Sequence, residues 1–382
     1  DAQESRGLGD VYKRQSMKNY IYYLLLLALS ISCTANKKGI DKTEKQTDQL
    51  VYTHVSGENL KSDSTLWGMK IDFVKDGHLF IQELSNDLLY GVYRIEDDSL
   101  IKEGGFLTKG EGPFEVVHPD LWGNEDDSVF YVSNYAGIIK EIYSIKMADI
   151  YHKEKWNIIP FPDSQGCLFY PSIAIMNDSI CVVSGSKLSS VNILSYVNLQ
   201  TGEISDLDFP FPGFVLPSDF KTAEHMIYCD AQLLKHPSQN KLLYVCRLGR
   251  YVKIVEIENR QISRQISLYS ILPQYEVVNG DRKIKDDCLG GIVAKVTNDR
   301  IYCLVLPYTR KEENEQPFYK GMPNYFADEL VVFDWNGNII EAYRLDQPIC
   351  NFGVDGTKNI LYGTTLDGED FVVRKYNLTN AG

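Results

Sequence analysis

A short apolar strand pattern that follows a polar turn recurs six times along the chain. The intervals between successive copies are 50, 51, 62, 59 and 59 residues, counted from Leu79, Val129, Ile180, Leu242, Ile301 and Ile360. β-rich segments precede and follow most copies, so the repeating unit has about four strands and no helix of useful length. Such units at this period are typical of a β-propeller, whereas a β-sandwich does not require regular recurrence. We therefore predict an all-β fold, a six-bladed β-propeller of four-stranded antiparallel blades.

The two ends of the repeat predict how the ring closes. The sixth unit ends with the strand pattern at 371–378, so its outer strand is missing from the C-terminal sequence. An unassigned strand pattern, LVYTHVSG at 50–57, precedes the first complete unit. We predict that this N-terminal strand supplies the missing edge of blade six, which leaves fewer unpaired strand edges. The propeller then occupies residues 50–382.

The first 32 residues are typical of a leader rather than of the fold. Residues 1–16 are polar and precede Met17, so we interpret them as a non-native or upstream segment. Met17 and Lys18 are followed by an apolar run of about 12 residues, which is shorter than the roughly 20 that span a bilayer. A cationic start and a short apolar run predict a signal peptide over 17–32.

The apolar run ends at Cys33, and this junction resembles a bacterial lipoprotein signal, in which such a Cys is acylated. Ser30 stands where that family usually has Leu, and an ordinary secretory signal with an incidental Cys is the alternative. The resemblance implies a lipid anchor on Cys33 and a bilayer as partner. Residues 33–49 are polar and predict a flexible tether. In related lipoproteins, acidic residues after the Cys often accompany display on the outer surface. Lys37 and Lys38 stand there instead, so we expect an outer-membrane protein of the cell envelope that faces the periplasm.

A glycine-rich segment follows the last strand of the first blade. Residues 110–116 read GEGPFEV, which is similar to the G-x-G-P-G-E-F motif of six-bladed TolB-like propeller lipoproteins of Gram-negative bacteria. Phe114 replaces the last glycine of that motif, and Val116 replaces its phenylalanine. The resemblance covers residues 50–382 and implies the fold and the location, but no reaction.

The long connections of the predicted propeller all fall on one face. They are the linkers from the outer strand of one blade to the inner strand of the next, at 107–119, 159–171, 210–229 and 269–290, and the loop between the second and third strands of blade five, at 307–327. Long loops of this kind often carry function, and aromatic and arginine side chains anchor interfaces. The candidate binding residues are Arg310, Phe318, Tyr319, Tyr325, Phe326, Phe214, Phe220, Tyr275, Arg282 and Glu111. The alternative is that these aromatic side chains fold back and pack the loops.

Signals for chemistry are weak in this sequence. The six histidines form no HxxxH or HExxH pair, and there is neither a G-x-S-x-G motif nor a P-loop. The net charge of −13 argues against nucleic acid as a partner. Seven cysteines remain besides Cys33 without any CxxC spacing, so a disulfide framework is not expected. We predict no catalytic residue, no metal site and no cofactor, and we favour a protein that binds a small-molecule ligand or another protein through its loop-rich face.

Two alternatives to a binding protein remain open. The first is a propeller lyase or hydrolase with a metal or carboxylates at the channel mouth, for which Glu111 and Glu115 are an acid–base pair if they are not simply turn and cap residues. A calcium ion in the central channel belongs to this alternative, with oxygen ligands chosen from Asp72, Asp120, Asn177, Asp230 and Asp355. The second is a scaffold subunit of an envelope assembly that binds no small ligand.

Overall fold

The computed structural model describes most of the region that the repeat covers. The described residues are 50–83, 87–117, 119–123, 129–134, 141–162, 167–168, 172–187, 190–213, 224–279, 281–315, 318–319, 322–323 and 325–378. The chain divides into Asp1–Gln49 and Leu50–Gly382, and every described residue belongs to the second unit. The predictions of a signal peptide, an acylated Cys33 and a tether therefore lie outside the described residues.

Six antiparallel blades surround a central channel, which confirms the predicted fold. The strands of each blade follow chain order and are lettered A to D from the channel outward. Blades one to three consist of Lys70–Lys75, His78–Gln82, Leu88–Glu96 and Ser99–Lys109; Pro119–Trp122, Val129–Asn134, Glu141–Lys146 and Asn157–Pro160; and Ile173–Asn177, Ile180–Ser184, Leu194–Asn198 and Ile204–Asp206. Blades four to six consist of Ala231–Lys235, Lys241–Cys246, Arg250–Glu258 and Gln261–Ile271; Ile292–Val296, Arg300–Val305, Ala327–Asp334 and Ile339–Ile349; and Asn351–Asp355, Ile360–Asp367 and Asp370–Asn377, which Glu58–Asn59 completes.

Short strands and helical turns lie in the connections between these strands. Glu115–Val116 pairs with strand D of blade one. Two small hairpins join Tyr275–Val278 to Asp281–Ile284 and Phe318–Tyr319 to Met322–Pro323. Cys167–Leu168 pairs with Ser186–Lys187, and strands A and B of blade three lie between these two in the chain. Among the described residues, the helical elements are two 3-10 turns, Met147–Asp149 and Lys153–Lys155, a π-helical turn at His225–Cys229 and an α-helix at Arg310–Glu315. None of the helices within the described part of the chain has the length and apolar character needed to cross a membrane.

The recurrent apolar motif corresponds to strand B of each blade. Strand B lies between strands A and C and is covered by neighbouring blades, so both of its faces are apolar. In blades four and five, every residue of this strand after the first is buried. Tight turns then reverse the chain: Asp76 and Gly77, between strands A and B of blade one, both have positive φ, at 47° and 73°. An Asp-Gly pair with two positive φ angles is favoured in two-residue hairpins, because its twist matches that of the strands.

The ring is closed by residues 50–62, here called the rim segment, in a different register from the predicted one. Thr53–Val55 runs parallel to strand D of blade five, with Thr53 opposite Tyr343. Glu58–Asn59, rather than residues 50–57, forms the outer edge of blade six by antiparallel pairing with its third strand. Lys61–Ser62 then pairs with the start of strand D of blade one. The N-terminal segment therefore completes blade six as expected, but it also contacts both adjacent blades.

Gly57 lies where the rim segment passes from blade five to blade six, and a residue with a side chain would not fit there. A Cβ atom at this position would lie 2.6 Å from the ring of Tyr376, which is buried on blade six. Arg374 holds the rim segment in place at this point. Its guanidinium donates to the carbonyl oxygen of Gly57, to Oδ1 of Asn59 at 2.9 Å and to Asp346 at 2.8 Å. The Arg374 residue is only 8% exposed, so these are charge-assisted bonds in a desolvated place.

Candidate functional site

A cavity of about 290 Å³ lies in the central channel. Residues from strand A or its N-terminal edge line it from all six blades, which is the arrangement that radial blades impose. Its walls are apolar in part, but they also carry a concentrated set of polar side chains, namely Lys70, Asp72, Asp120, Ser172, Gln232, Arg247, Lys295 and Asn351. Polar side chains on inner strands are costly unless they are hydrogen-bonded or face solvent, so this set defines the candidate site.

Most of the polar side chains, with the exception of Lys295, start near one end of the channel. Lys70 and Asn351 each open their strand A, and Ser172 immediately precedes another. Strand A of each blade starts where the linker from the preceding blade ends, so this end of the channel meets the linkers. The linker before blade five and the loop at 307–327 are hydrogen-bonded to each other, through Gly290 N to Tyr308 O at 2.7 Å and Arg310 N to Cys288 O at 2.8 Å. The polar mouth therefore opens on the loop-rich face.

Blades one and two supply an ion-pair network at this mouth. The Lys70 Nζ atom lies 2.7 Å from Oδ1 of Asp72 and 3.9 Å from Oδ1 of Asp120, and the Tyr90 hydroxyl donates to Asp72 at 2.5 Å. Burial lowers the pKa of Lys70, but Asp72 and Asp120 outweigh it, so the pKa is raised overall. Burial raises the pKa of Asp120 even though Lys70 opposes the shift, and burial together with Asp72 raises the pKa of Tyr90. Asp72 is thus held by two donors, while Asp120 is held only weakly.

Blades four and five add two further cations. Nε of Arg247 lies 2.6 Å from Oδ1 of Asp230, and the Arg247 side chain is 59% exposed. The Nζ atom of Lys295 donates to the carbonyl oxygens of Ile71 and Asp72 at 2.8 and 2.7 Å. Burial lowers the pKa of Lys295 to about 8, in spite of the nearby Asp72 carboxylate. The site thus combines cations and carboxylates from several blades around one small cavity.

The loop at 307–327 presents some of the predicted binding residues to solvent. Arg310 is exposed at the first turn of the helix and pairs with Glu313. Phe318 is 59% exposed and Tyr325 is 44% exposed. Phe326 differs from the expectation: it is fully buried, because it immediately precedes strand C of blade five and packs inward. Phe326 therefore stabilises the loop and is withdrawn as a binding residue.

The linkers contribute fewer accessible side chains than expected. Tyr275 packs edge-on against Tyr228, with ring centroids 6.4 Å apart, and burial raises its pKa to about 12. The guanidinium of Arg282 donates to the carbonyl oxygen of Met226, which ties two successive linkers together. Both residues thus have packing roles on the loop-rich face. Three other predicted residues are not placed, since Phe214 and Phe220 lie outside the described residues and only the backbone of Tyr319 is described.

The glycine-rich segment at 110–116 is a tight structural turn. Glu115 Oε2 accepts a hydrogen bond from Gly112 N at 3.0 Å, and Gly110 N donates to Val116 O at 3.1 Å. Phe114 has a φ of 60° and its ring packs against Trp156. Glu111 is exposed beside this turn. The carboxylate of Glu115 thus acts as a cap, as the structural alternative for this residue anticipated.

The five oxygen-bearing residues proposed for calcium do not converge. Asp72 and Asp120 share the mouth, and Asp230 lies close by against Arg247. Asn177 and Asp355 end their A strands, where Asn177 accepts from Ser179 N at 3.0 Å and Asp355 accepts from Lys358 N at 3.0 Å. These two residues are therefore turn formers at the other end of the channel. Within the described ranges, no group of three or more His, Cys, Asp or Glu side chains is arranged to hold a metal ion.

Sequence reasoning identified the acidic members of this site but missed Lys70, Arg247 and Lys295. The relevant signal was present, because Lys70 and Asp72 interrupt one apolar inner strand and Lys295 interrupts another. Once the propeller fold is known, a charged residue at a channel-facing position of strand A indicates a candidate site residue. Lys70 pairs with Asp72 on the same strand, but the partners of Arg247 and Lys295 lie 17 or more positions away along the chain, so local spacing does not reveal them.

Comparisons with known proteins agree with this architecture. A family model described as TolB-like 6-blade propeller-like matches residues 56–357. A comparison with curated proteins finds no match. Among solved structures, a member of the DUF4221 family from Bacteroides vulgatus has a TM-score of 0.52 and 12% identity, over 86% of this chain and 97% of that chain. An auxiliary nutrient binding protein from Bacteroides thetaiotaomicron has a TM-score of 0.43 and 10% identity, over 82% and 70% of the respective chains. At these identities the likeness concerns the fold alone.

Proposed function

Because this chain belongs to the TolB-like six-bladed propeller family, we propose that it is a lipid-anchored protein of the bacterial envelope that binds a small polar ligand at the mouth of its channel. One observation carries the proposal: a cavity of about 290 Å³ collects charged and amide side chains from several blades at the loop-rich face. Its size is close to the lower end of the range for small-molecule sites, roughly 300–1,000 Å³.

The chemistry of the cavity walls favours binding over a purely structural channel. Lys70 is 40% exposed and Arg247 is 59% exposed, so both cations face the open space while their neighbours hold them in place. Lys70 opens strand A of blade one, and Arg247 directly follows strand B of blade four, so both side chains start from rigid hydrogen-bonded sheets and the site is formed before a ligand arrives. Preorganisation of this kind reduces the entropy lost on binding.

The anchor part of the proposal is supported by the N-terminal sequence. Cys33 ends an apolar run that resembles a lipoprotein signal, and a polar tether separates it from the rim segment. Acyl chains contribute roughly 0.8 kcal/mol per buried methylene group, so more than one chain on Cys33 retains the propeller at a bilayer. The ligand site is then held in the envelope, where solutes that have crossed the outer membrane are available.

A second candidate function, hydrolysis or elimination at the same mouth, is favoured by one observation. Burial raises the pKa of Asp120, and its carboxyl group lies 3.9 Å from the Lys70 ammonium. A carboxyl group with a raised pKa beside a cation is a common arrangement for proton transfer. The two functions are distinguished by whether wild-type protein consumes the compound that it binds, and by whether Asp120→Asn abolishes that consumption.

The test of the binding proposal is thermal melting of the full-length protein in detergent with a panel of amino acids, monosaccharides, nucleotides and dicarboxylates at millimolar concentration. Gln232→Trp fills the cavity from strand A of blade four without removing a charge. Gln261→Trp makes the same change on the exposed outer strand of that blade and serves as the matched control. We expect at least one compound to raise the melting temperature of wild type and Gln261→Trp but not of Gln232→Trp. A compound that stabilises all three proteins equally would place binding outside the channel.

A further inference from the structure

We infer that the ligand is a zwitterion, namely a free amino acid or a short peptide whose carboxylate contacts Arg247 and whose ammonium group contacts Asp120. The inference rests on the proposed function and adds the chemical class of the ligand. It follows from which charged groups at the mouth keep hydrogen-bonding capacity that the protein does not use.

Most charges at the mouth have close partners within the protein. Lys70 and Asp72 pair at 2.7 Å, and Asp72 also accepts from the Tyr90 hydroxyl at 2.5 Å. Lys295 donates to two main-chain carbonyl oxygens, on Ile71 and Asp72. These groups shape and rigidify the wall of the cavity. Because their hydrogen-bonding capacity is largely used, they are poor candidates for the main contacts with a ligand.

Arg247 retains an unused donor edge. Its Nε atom lies 2.6 Å from Oδ1 of Asp230, and its main-chain N–H donates to the Asp230 carbonyl oxygen at 3.2 Å, so the side chain is fixed at its base. Among the residues that the structure describes, the two Nη groups have no hydrogen-bond partner. They belong to a side chain that lines the cavity and is 59% exposed. A planar pair of N–H donors matches the two oxygens of a carboxylate.

Asp120 is the corresponding unused acceptor. Its only ion-pair partner within 4 Å in the described part of the chain is Lys70, at 3.9 Å, and that ammonium is held more closely by Asp72. The Asp120 side chain lines the cavity and is 33% exposed. A ligand ammonium group would supply the donors that this carboxylate lacks. It would also lower the pKa of Asp120, which burial raises in the empty site.

Arg247 and Asp120 are not in direct contact as an ion pair. They lie on blades four and two, with Ser172 of blade three lining the same cavity between them, and they form no ion pair. A ligand with only an anionic group would leave the Asp120 carboxylate without a close donor, and a ligand with only a cationic group would leave the Nη groups of Arg247 without an acceptor. A molecule with one charge of each sign satisfies both residues. Gln232 and Asn351 add neutral polar groups to the wall, which suit the amide or side chain of such a ligand.

The experiment is isothermal titration calorimetry of the full-length protein with the standard L-amino acids and with L-alanyl-L-alanine. The tightest-binding compound is then compared with its N-acetyl derivative, which lacks the ammonium group, and with its amide, which lacks the carboxylate. We expect both derivatives to bind wild type at least about tenfold more weakly. Because this comparison uses unmodified protein, it does not depend on whether any variant folds.

Two variants assign the contacts. Arg247→Gln should bind the amide and the free amino acid about equally, while Asp120→Asn should lose discrimination against the N-acetyl derivative instead. Arg260→Gln removes an arginine with the same 59% side-chain exposure from the outer region of blade four and should leave both preferences unchanged.

Other outcomes would overturn the inference. Blocked derivatives that bind as tightly as the free amino acid, or a complete absence of amino-acid and dipeptide binding, would contradict a zwitterionic ligand. If a sugar, nucleotide or dicarboxylate instead stabilises wild type but not Gln232→Trp, the channel remains the binding site and only the ligand class is wrong. If the stabilising compound acts equally on Gln232→Trp, both the channel site and the zwitterion inference fail.

Discussion

Lys295 on blade five reaches Asp72 on blade one, where its Nζ atom donates to the main-chain carbonyl oxygen at 2.7 Å. The same atom donates to the carbonyl oxygen of Ile71 at 2.8 Å. Blade six lies between these blades in the ring, so the lysine connects inner strands that are not sheet neighbours. A neutral amine keeps two N–H groups, which is enough for both carbonyl oxygens. The contact therefore does not require the ammonium form.

This geometry predicts a specific pH dependence of stability. Burial lowers the pKa of Lys295 to about 8, against 10.5 for an ordinary lysine, while Asp72 and Asp120 favour the charged form and Lys70 opposes it. Between these values the unfolded chain binds more protons than the folded one, so the contribution of Lys295 to stability rises with pH from about 8 to 10.5 and is lost progressively as the pH falls back to about 8. Relative to Lys295→Met, wild type should gain about 1–2 kcal/mol between pH 7 and pH 9.5.

The measurement is urea unfolding of wild type and Lys295→Met at both pH values. The difference between the two proteins isolates Lys295 from the tyrosines and carboxylates that titrate in both. A difference in unfolding free energy that is the same at pH 7 and pH 9.5 would show that the pKa of Lys295 is not lowered by folding.

The rim segment should contribute strongly to stability. Deletion of residues 34–49 should leave the unfolding free energy nearly unchanged, whereas deletion of 34–60 should lower it by more than about 3 kcal/mol. The longer deletion removes backbone pairing to blades five and six and the burial of Leu60, which is 4% exposed. Urea unfolding of the two truncated proteins tests this, and equal midpoints would contradict closure by the rim segment.

A single side chain tests the same closure without a deletion. Arg374→Gln should cost about 1.5–3 kcal/mol, because it removes the charged donor of the hydrogen bonds to Gly57, Asn59 and Asp346, and the Arg374 residue that donates them is only 8% exposed. Arg264→Gln is the control, since Arg264 is 54% exposed on an outer strand and its ion pair with Glu256 is long, at 3.6 Å. Its effect on the unfolding free energy should stay within about 0.5 kcal/mol. Similar losses in both variants would argue against a special role for Arg374.

Two phenylalanines of the loop at 307–327 should behave differently. Phe326→Ala should cost about 3–5 kcal/mol, because the ring is fully buried and its removal leaves a cavity. Phe318→Ala should change the unfolding free energy by less than about 0.5 kcal/mol, since this side chain is 59% exposed. Chemical denaturation measures both. A large loss for Phe318→Ala would show that this aromatic packs against the propeller instead of facing solvent.

The fold could be predicted from the sequence because the blades repeat and each repeat is formed by consecutive residues. The recurrent strand B pattern reflects burial on both faces, and short Gly- and Asn-containing turns mark the hairpins. The register of the rim segment was not accessible, because Thr53–Val55 and Glu58–Asn59 are both short extended stretches. Thr53–Val55 pairs with blade five and Glu58–Asn59 with blade six because Arg374 contacts Gly57 between them. These two residues lie 317 positions apart in the sequence.

The candidate site could be predicted only in part, because it too depends on contacts between residues that are distant in the sequence. Aromatic and arginine content singled out the loops, where Phe318 and Tyr325 are exposed; their role in binding stays a prediction. The same criterion included Phe326, whose burial depends on its position beside strand C. The cations of the channel are single residues on different blades, and only the closed ring brings Lys70, Arg247 and Lys295 around one cavity.

The anchor is tested by one substitution outside the described residues. Cys33→Ser should give an unlipidated protein that is either left unprocessed or recovered in the aqueous phase of a detergent partition, whereas wild type should enter the detergent phase. Metabolic labelling with a palmitate analogue should mark wild type only. Equal labelling and partitioning of the two proteins would contradict acylation at Cys33.

The most direct measurement is the crystal structure of the protein with the panel compound that raises its melting temperature most. We predict electron density for that compound inside the channel, within hydrogen-bonding distance of Arg247 or Asp120, and no such density in crystals of Gln232→Trp grown with the same compound. Density found only on the outer surface of the blades or against Phe318, with the channel free of the compound, would contradict the account.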